Sequence, residues 1–145
     1  MLSINFFAED VPFELADEKA TTNWITDTVN AEGQEVNELS FVFCSDEYLH
    51  QINVQYLNHD YFTDIITFDN SDDDAVIEGD IFMSIDRIED NARNQSIPFI
   101  TELHRVIIHG VLHLLGYDDK SDEHKKQMRE KENAYLSLCQ FLRST

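Results

Sequence analysis

Residues 109–119 read HGVLHLLGYDD, with histidines at positions 109 and 113, a glycine at 116 and an aspartate at 119. Residues four apart on a helix are separated by about 40° around its axis, so the imidazoles of His109 and His113 leave the same face and can share one ion. A glycine three residues later can take a positive φ at the helix end and turn the chain back. We therefore predict a metal site formed by His109, His113 and Asp119.

The spacing H-x-x-x-H-x-x-G-x-x-D is that of the long zinc-protease motif with two changes. Aspartate replaces the last histidine, and because aspartate is an ordinary zinc ligand, the coordination can survive. Gly110 stands where the proteases carry the glutamate that acts as general base. The missing base disfavours a standard metalloprotease. Hydrolysis of another substrate, including peptides, is a third functional hypothesis.

The helix that carries the motif is predicted to run from Pro98 in its first turn to about residue 115. Aliphatic residues cover most of its circumference: Leu103, Val106, Ile107, Ile108, Val111, Leu112, Leu114 and Leu115. We expect it to be the central, enclosed helix. The alternative to a metal site is that His109 and His113 are satisfied histidines of a buried helix. Polar groups in apolar surroundings need partners, and a metal ion provides one.

Apolar periodicity and turn residues predict the other elements of the chain. We expect strands at residues 3–7, 39–44, 64–68 and 76–84, the last two forming a hairpin with a long polar loop. We expect further helices at residues 14–31, 46–56 and 86–94, and a final helix capped by Ser121. The 145 residues are 42% hydrophobic and 11% aromatic, which suffices for a core. Residues 1–145 are therefore predicted to form a single domain.

The formal net charge of −19 is unevenly distributed. Up to Asp86 there are 20 acidic residues and one basic residue, whereas from Arg87 onward there are nine of each. A basic cluster follows the metal motif: Lys120, Lys125, Lys126, Arg129 and Lys131, with Glu123, Glu130 and Glu132 among them. An anionic substrate could bind these cations together with the metal. Alternatively, they belong to a solvated helix face on which the glutamates pair with the lysines.

Nothing in the sequence indicates a membrane segment or a secretory signal. The N-terminus has no basic n-region, and no apolar run approaches the roughly 20 residues that cross a bilayer. We therefore expect a cytoplasmic protein with no membrane partner. Cys44 and Cys139 are too few for a disulfide framework and are predicted to be buried free thiols.

Together with the metal motif, two upstream blocks resemble the YbeY-type endoribonucleases, single-domain bacterial proteins involved in ribosomal RNA maturation. The first block, NVQYLNHDYFTDIITF at residues 53–68, matches that family at Asn53, Tyr56, Asp60, Thr63, Asp64 and Phe68. The second is Gly79-Asp80-Ile81. The resemblance covers most of the chain. It implies an α+β fold with a small mixed sheet, one zinc ion per chain held by three side chains, and action on RNA phosphodiesters.

Two positions depart from the family pattern. The family's third ligand is usually histidine, where this chain has Asp119, and the added negative charge should make the metal a weaker Lewis acid. His124 is a poorer substitute because it falls inside the final helix. The family usually has arginine at the position of Leu57, and arginine there would suit a phosphate.

The resemblance implies a zinc-dependent endoribonuclease that acts in ribosomal RNA processing and ribosome assembly. Its expected partner is RNA, ribosomal RNA or a ribosomal subunit, and we expect no DNA partner. The alternative function is a non-catalytic RNA- or ribosome-associated assembly factor with a structural metal. Leu57 and the acidic charge favour that alternative.

The general base is not assigned by the sequence. Asp60, Asp64, Asp80 and His59 are candidates by residue type, although Asp64 and Asp80 could instead orient the ligand histidines or cap turns. His104 points about 140° away from the ligand face and is predicted either to support the ligand residues from behind or to lie at the surface.

Overall fold

The structure, a computed structural model, describes residues 3–60 and 62–139. The elements in these ranges are β1 (Ser3–Ala8), α1 (Glu18–Ala31), β2 (Glu35–Cys44), α2 (Asp46–Leu57), β3 (Ile65–Asp69), β4 (Val76–Ser84), α3 (Ile85–Gln95), α4 (Phe99–Leu114) and α5 (Asp122–Ser137). The strands form one sheet in the order β1-β2-β4-β3. Strand β2 is parallel to β1 and β4, and β3 is antiparallel to β4. The predicted α+β class, with a small mixed sheet and five helices, is confirmed.

Two predicted boundaries were wrong. Strand β2 begins at Glu35 rather than at residue 39, and a register shift between Val36 and Glu38 explains the error. A bulge breaks the alternation of buried and exposed side chains that identifies a strand in sequence. Helix α1 begins at Glu18 rather than at residue 14, because Asp17 caps it by accepting a hydrogen bond from the backbone N–H of Ala20.

Helix α4 is the enclosed helix that the sequence predicted. Ten of its 16 residues are buried, and it contacts α1, α3, α5, β3 and β4. A Cβ atom at Gly110 would lie 2.8 Å from Ile65 Cδ1 and 3.1 Å from Ile81 Cγ2. Position 110 therefore faces the sheet at close range and has no room for the glutamate of the zinc proteases.

The chain reverses after α4 in a Schellman motif. The backbone N–H of Gly116 donates to the carbonyl of His113 at 3.1 Å, and that of Tyr117 donates to the carbonyl of Leu112 at 3.0 Å. Gly116 has a φ of +112°, which glycine adopts without strain. The turn predicted at this glycine is confirmed.

Both cysteines are buried and free, as the sequence predicted. Burial, with help from nearby carboxylates, raises the pKa of Cys44 to about 12, so this thiol is not a nucleophile at neutral pH. In the part of the chain that the structure describes, the helices are too short or too polar to span a bilayer.

Glu32, directly after α1, ties three segments together. Its carboxylate accepts hydrogen bonds from Tyr117 Oη at 2.6 Å, from Lys131 Nζ at 3.2 Å and from the hydroxyl of Tyr135. The side chain is 13% exposed. Burial acts to raise its pKa, but the hydrogen bonds from the two tyrosines and from Lys131 outweigh burial and lower it.

We expect Glu32→Gln to reduce the free energy of unfolding by about 1–3 kcal/mol, because charge-assisted hydrogen bonds are lost. Since the pKa of Glu32 is lowered in the folded state, its contribution is present above the ordinary pKa of about 4.5 and is lost as the pH falls through the folded-state pKa. Chemical denaturation, repeated at intervals of about one pH unit between pH 3 and pH 7, measures how the free energy of unfolding depends on pH.

The exposed Glu35, changed to glutamine, is the matched control for the charge. The stabilities of wild type and Glu32→Gln should converge at acid pH. An equal loss in both variants, or a difference that persists at acid pH, would contradict the assigned role.

Candidate metal centre

The structure brings the three predicted ligands together. His109 Nε2 and His113 Nε2 lie 3.1 Å apart. The carboxylate of Asp119 approaches both, with Oδ2 at 3.7 Å from His109 Nε2 and Oδ1 at 4.0 Å from His113 Nε2. One ligand atom from each of the three residues lies within 4.8 Å of the others. The buried helix α4 supplies the two imidazoles, and the loop between α4 and α5 supplies the carboxylate.

The donor set fits a divalent metal ion. Two ligand atoms at zinc-like distances and tetrahedral angles lie about 3.3 Å apart, close to the separation of the two Nε2 atoms. The side chains are partly accessible, at 21% for His109, 28% for His113 and 45% for Asp119. An ion held by these three residues would therefore keep an open position toward solvent.

Glu132 of α5 fixes the orientation of His109. Its Oε2 lies 2.6 Å from His109 Nδ1, and its side chain is only 7% exposed. An ionised carboxylate only accepts hydrogen bonds, so Nδ1 carries the proton and Nε2 presents its lone pair to the metal position. Such partners of ligand histidines set both the tautomer and the ring orientation.

The sequence reasoning did not identify Glu132 in this role. It treated the residue as one of the glutamates that alternate with surface lysines. The sequence did contain an indication of this role, because Glu132 lies on the buried face of α5. Met128, Glu132 and Tyr135 follow the helical spacing i, i+4 and i+7. A glutamate on the apolar stripe of a helix needs a buried partner.

The two histidines have opposite pKa shifts. Burial acts to lower the pKa of His109, but the hydrogen bond and the charge of Glu132, with Asp119 and Asp64, raise it overall. The pKa of His113 is lowered, first by burial and then by the neighbouring charge of His109. The metal-binding face therefore combines one basic imidazole with one that favours the neutral form.

A cavity of about 350 Å³, which we call the α4–α5 groove, opens beside His109 and Asp119. It is lined by Asp64, Glu102, Arg105, Val106, His109, Asp119, Lys125, Met128, Arg129 and Glu132.

Arg105 bridges the two helices, since its Nη1 donates to Glu132 Oε1 at 3.3 Å and to Asn133 Oδ1 at 2.9 Å. Glu102 Oε1 and Arg105 Nε are buried without a hydrogen-bond partner among the described residues and lie 3.9 Å apart. Their opposite charges still attract each other at that distance.

The structure separates the four candidate bases. Only Asp64 lines the groove; burial raises its pKa, and Asn91 Nδ2 donates to its Oδ2 at 3.3 Å. Asp60 is exposed and pairs with His50 at 2.9 Å. Asp80 lines a separate cavity beside α2, and His59 is an exposed residue after the end of that helix.

Three other residues singled out in the sequence lie outside the ligand set. His104 is only 1% exposed and packs with Thr21 and Trp24 of α1, so the surface alternative for this residue was wrong. His124 lies in the first turn of α5, where its Nδ1 pairs with Asp118 Oδ1 at 2.7 Å. Leu57 ends α2 and is 37% exposed.

Comparison with known proteins agrees with this architecture. Residues 4–140 match the sequence profile of the family described as Endoribonuclease YbeY. A protein of that name from Cytophaga hutchinsonii is 50% identical over 139 residues, covering 96% of this chain and 97% of its relative. One from Flavobacterium johnsoniae is 45% identical over 138 residues, covering 95% and 96%. A Thermotoga maritima protein solved in solution has a TM-score of 0.70 at 29% identity, covering 97% of this chain and 92% of that one.

We expect Glu132→Gln to weaken binding of a divalent metal ion by about 10- to 100-fold, because His109 loses the carboxylate that orients it. Isothermal titration calorimetry, in which zinc is added to the metal-free protein, measures the affinity for zinc. The exposed Glu130, changed to glutamine on the same helix, is the matched control. Unchanged zinc affinity in Glu132→Gln, with a native circular dichroism spectrum, would refute this positioning role.

Proposed function

We propose that this chain, which belongs to the YbeY family of endoribonucleases, is a zinc-dependent endoribonuclease acting in ribosomal RNA processing and ribosome assembly. The observation that carries the proposal is the convergence of His109, His113 and Asp119 beside a groove that also contains cationic side chains. The proposed substrate places the protein in the cytoplasm, with ribosomal RNA or a ribosomal subunit as its partner.

Zinc is the proposed ion because two imidazole nitrogens, one carboxylate oxygen and an open position form a donor set typical of catalytic zinc sites. A zinc ion bound by His109, His113 and Asp119 would supply Lewis acidity toward an RNA phosphodiester. Glu132 holds His109 with Nε2 directed at the metal position. Asp119, which stands where the family usually has histidine, would keep the number of protein ligands at three.

Asp64 is the proposed proton acceptor. Of the four carboxylate and imidazole candidates, it alone lines the groove that contains His109 and Asp119. The amide of Asn91 holds one carboxylate oxygen, Oδ2, and so restrains the orientation of the group. General base catalysis requires such a group within reach of the proton that it removes.

We expect about one zinc ion per chain in protein purified without chelator or a metal-affinity tag, and none in Asp119→Ala, because two histidines alone hold zinc weakly. Elemental mass spectrometry on both proteins measures the content. His124→Ala is the control, since His124 pairs with Asp118 and lies outside the ligand set. Zinc retained by Asp119→Ala, or lost from His124→Ala, would show that the assigned third ligand is wrong.

We also expect the zinc-loaded protein to cut single-stranded ribosomal RNA, and Asp119→Ala to reduce cutting to the level of buffer while keeping its fold. Gel analysis of a ribosomal RNA fragment measures cleavage, and circular dichroism checks the fold. His124→Ala should cut at the wild-type rate. A fully zinc-loaded wild type that unfolds on chelation yet cuts no RNA would instead favour the non-catalytic assembly factor.

A further inference from the structure

We propose that the α4–α5 groove is a binding subsite for an RNA backbone phosphate flanking the cleaved one, with Lys125 and Arg129 as its principal contacts. The inference rests on the proposed function, because it takes RNA as the ligand and the metal position as the place of cleavage. It assigns a substrate-binding role to side chains that are not metal ligands.

The groove shares residues with the candidate metal site and with α5. His109 and Asp119 are among its lining residues, and so are Lys125, Arg129 and Arg105. A phosphodiester strand that passes the metal position would therefore meet cationic side chains in the groove. Arginine and lysine are the side chains that neutralise phosphates in nucleic-acid complexes.

If these cations were only part of a solvated helix face, they should form ion pairs with the glutamates of α5, and Lys125 does not do so among the described residues. Within the described ranges its ammonium forms no ion pair, even though Glu123 and Glu130 lie on the same helix. Arg129 is 55% exposed and has a single loose ion pair, with Nη1 at 3.6 Å from Glu132 Oε1. Both cations can therefore take up a phosphate without breaking a close contact.

The carboxylates of the groove are largely committed to other partners. Glu132 accepts from His109 and Arg105, and Glu102 lies against Arg105. Arg105 is thus a structural cation, whereas Lys125 and Arg129 are exposed. Counting ionised side chains, four carboxylates stand against three cations, and a bound divalent ion would change the balance from −1 to +1. Phosphate binding in the groove should therefore depend on the metal.

The formal charge of the rest of the chain is unfavourable to an anionic ligand. The first 86 residues carry a formal charge of −19, and the remaining residues carry none on balance. Leu57 supplies no cation at the end of α2. The cations on α5 therefore belong to the part of the chain that does not carry the acidic excess.

The test compares two double variants with the same change of charge and residue type. Lys125→Gln/Arg129→Gln removes both cations of the groove. Lys126→Gln/Arg93→Gln removes an adjacent exposed lysine of α5 and an exposed arginine of α3, neither of which lines the groove. Fluorescence anisotropy with a short single-stranded RNA, at several salt concentrations, measures affinity for each protein with zinc and after chelation.

We expect the groove variant to bind RNA about tenfold more weakly than wild type, with a salt dependence reduced by about 0.7–1.4 in log–log slope. Its KM for RNA should rise by a similar factor while kcat and zinc content stay unchanged. The control variant should behave as wild type, and chelation should weaken RNA binding by wild type more than by the groove variant. Because Arg129 also contacts Glu132, Lys125→Gln alone serves as a second variant that leaves the metal centre intact.

The outcomes separate the two proposals. The phosphate subsite would be overturned if Lys125→Gln and the double variant of the groove both keep the RNA affinity, KM and salt dependence of the wild type, even if the protein cuts RNA. Weaker binding confined to the groove variants, in a protein that cuts no RNA, would support the subsite and overturn the proposed nuclease function.

Discussion

A short hydrogen bond between His109 of α4 and Glu132 of α5 joins the two helices at the metal centre. Both partners lie largely out of water, so neither can lose the other without leaving an unpaired polar group. Arg105, one turn before His109 on α4, donates to the same carboxylate and adds a second link. The buried carboxylate of Glu132 therefore both packs α5 against α4 and orients His109, a candidate metal ligand.

The position of α4 on the sheet sets the direction of the metal-binding face. Close approach at Gly110 seats the helix against Ile65 and Ile81. His109 and His113 then emerge at the edge of the core, where they are partly accessible. The Schellman motif at Gly116 ends the helix and turns the chain so that Asp119 returns to the two imidazoles. Rigid packing on one side and a sharp turn on the other thus bring together three side chains that could hold a metal ion.

The uneven charge along the chain corresponds to a division between the elements of the fold. The acidic first part of the chain builds all four strands of the sheet and the two helices α1 and α2, whereas the balanced second part carries the candidate ligands His109, His113 and Asp119. Buried carboxylates at the centre are paired with Arg105 or with His109. The exposed cations Lys125 and Arg129 of α5 line the same groove as His109 and Asp119. An acidic protein thereby keeps a local surface suited to a polyanion.

The sequence by itself determined the order of the elements and the clustering of His109, His113 and Asp119, because both follow from local rules. Helical spacing places His109 and His113 on one face, and a glycine at the helix end permits the return of Asp119. What depended on the tertiary structure is every contact between residues far apart in the chain. Glu132 lies 23 residues from His109, and only the packing of α5 on α4 brings them together. Packing likewise places Asp64, directly before β3, in the groove and Asp80, within β4, in a separate cavity. The periodicity of side chains along a strand shows which residues share a face of the sheet, but it does not show which helix covers that face.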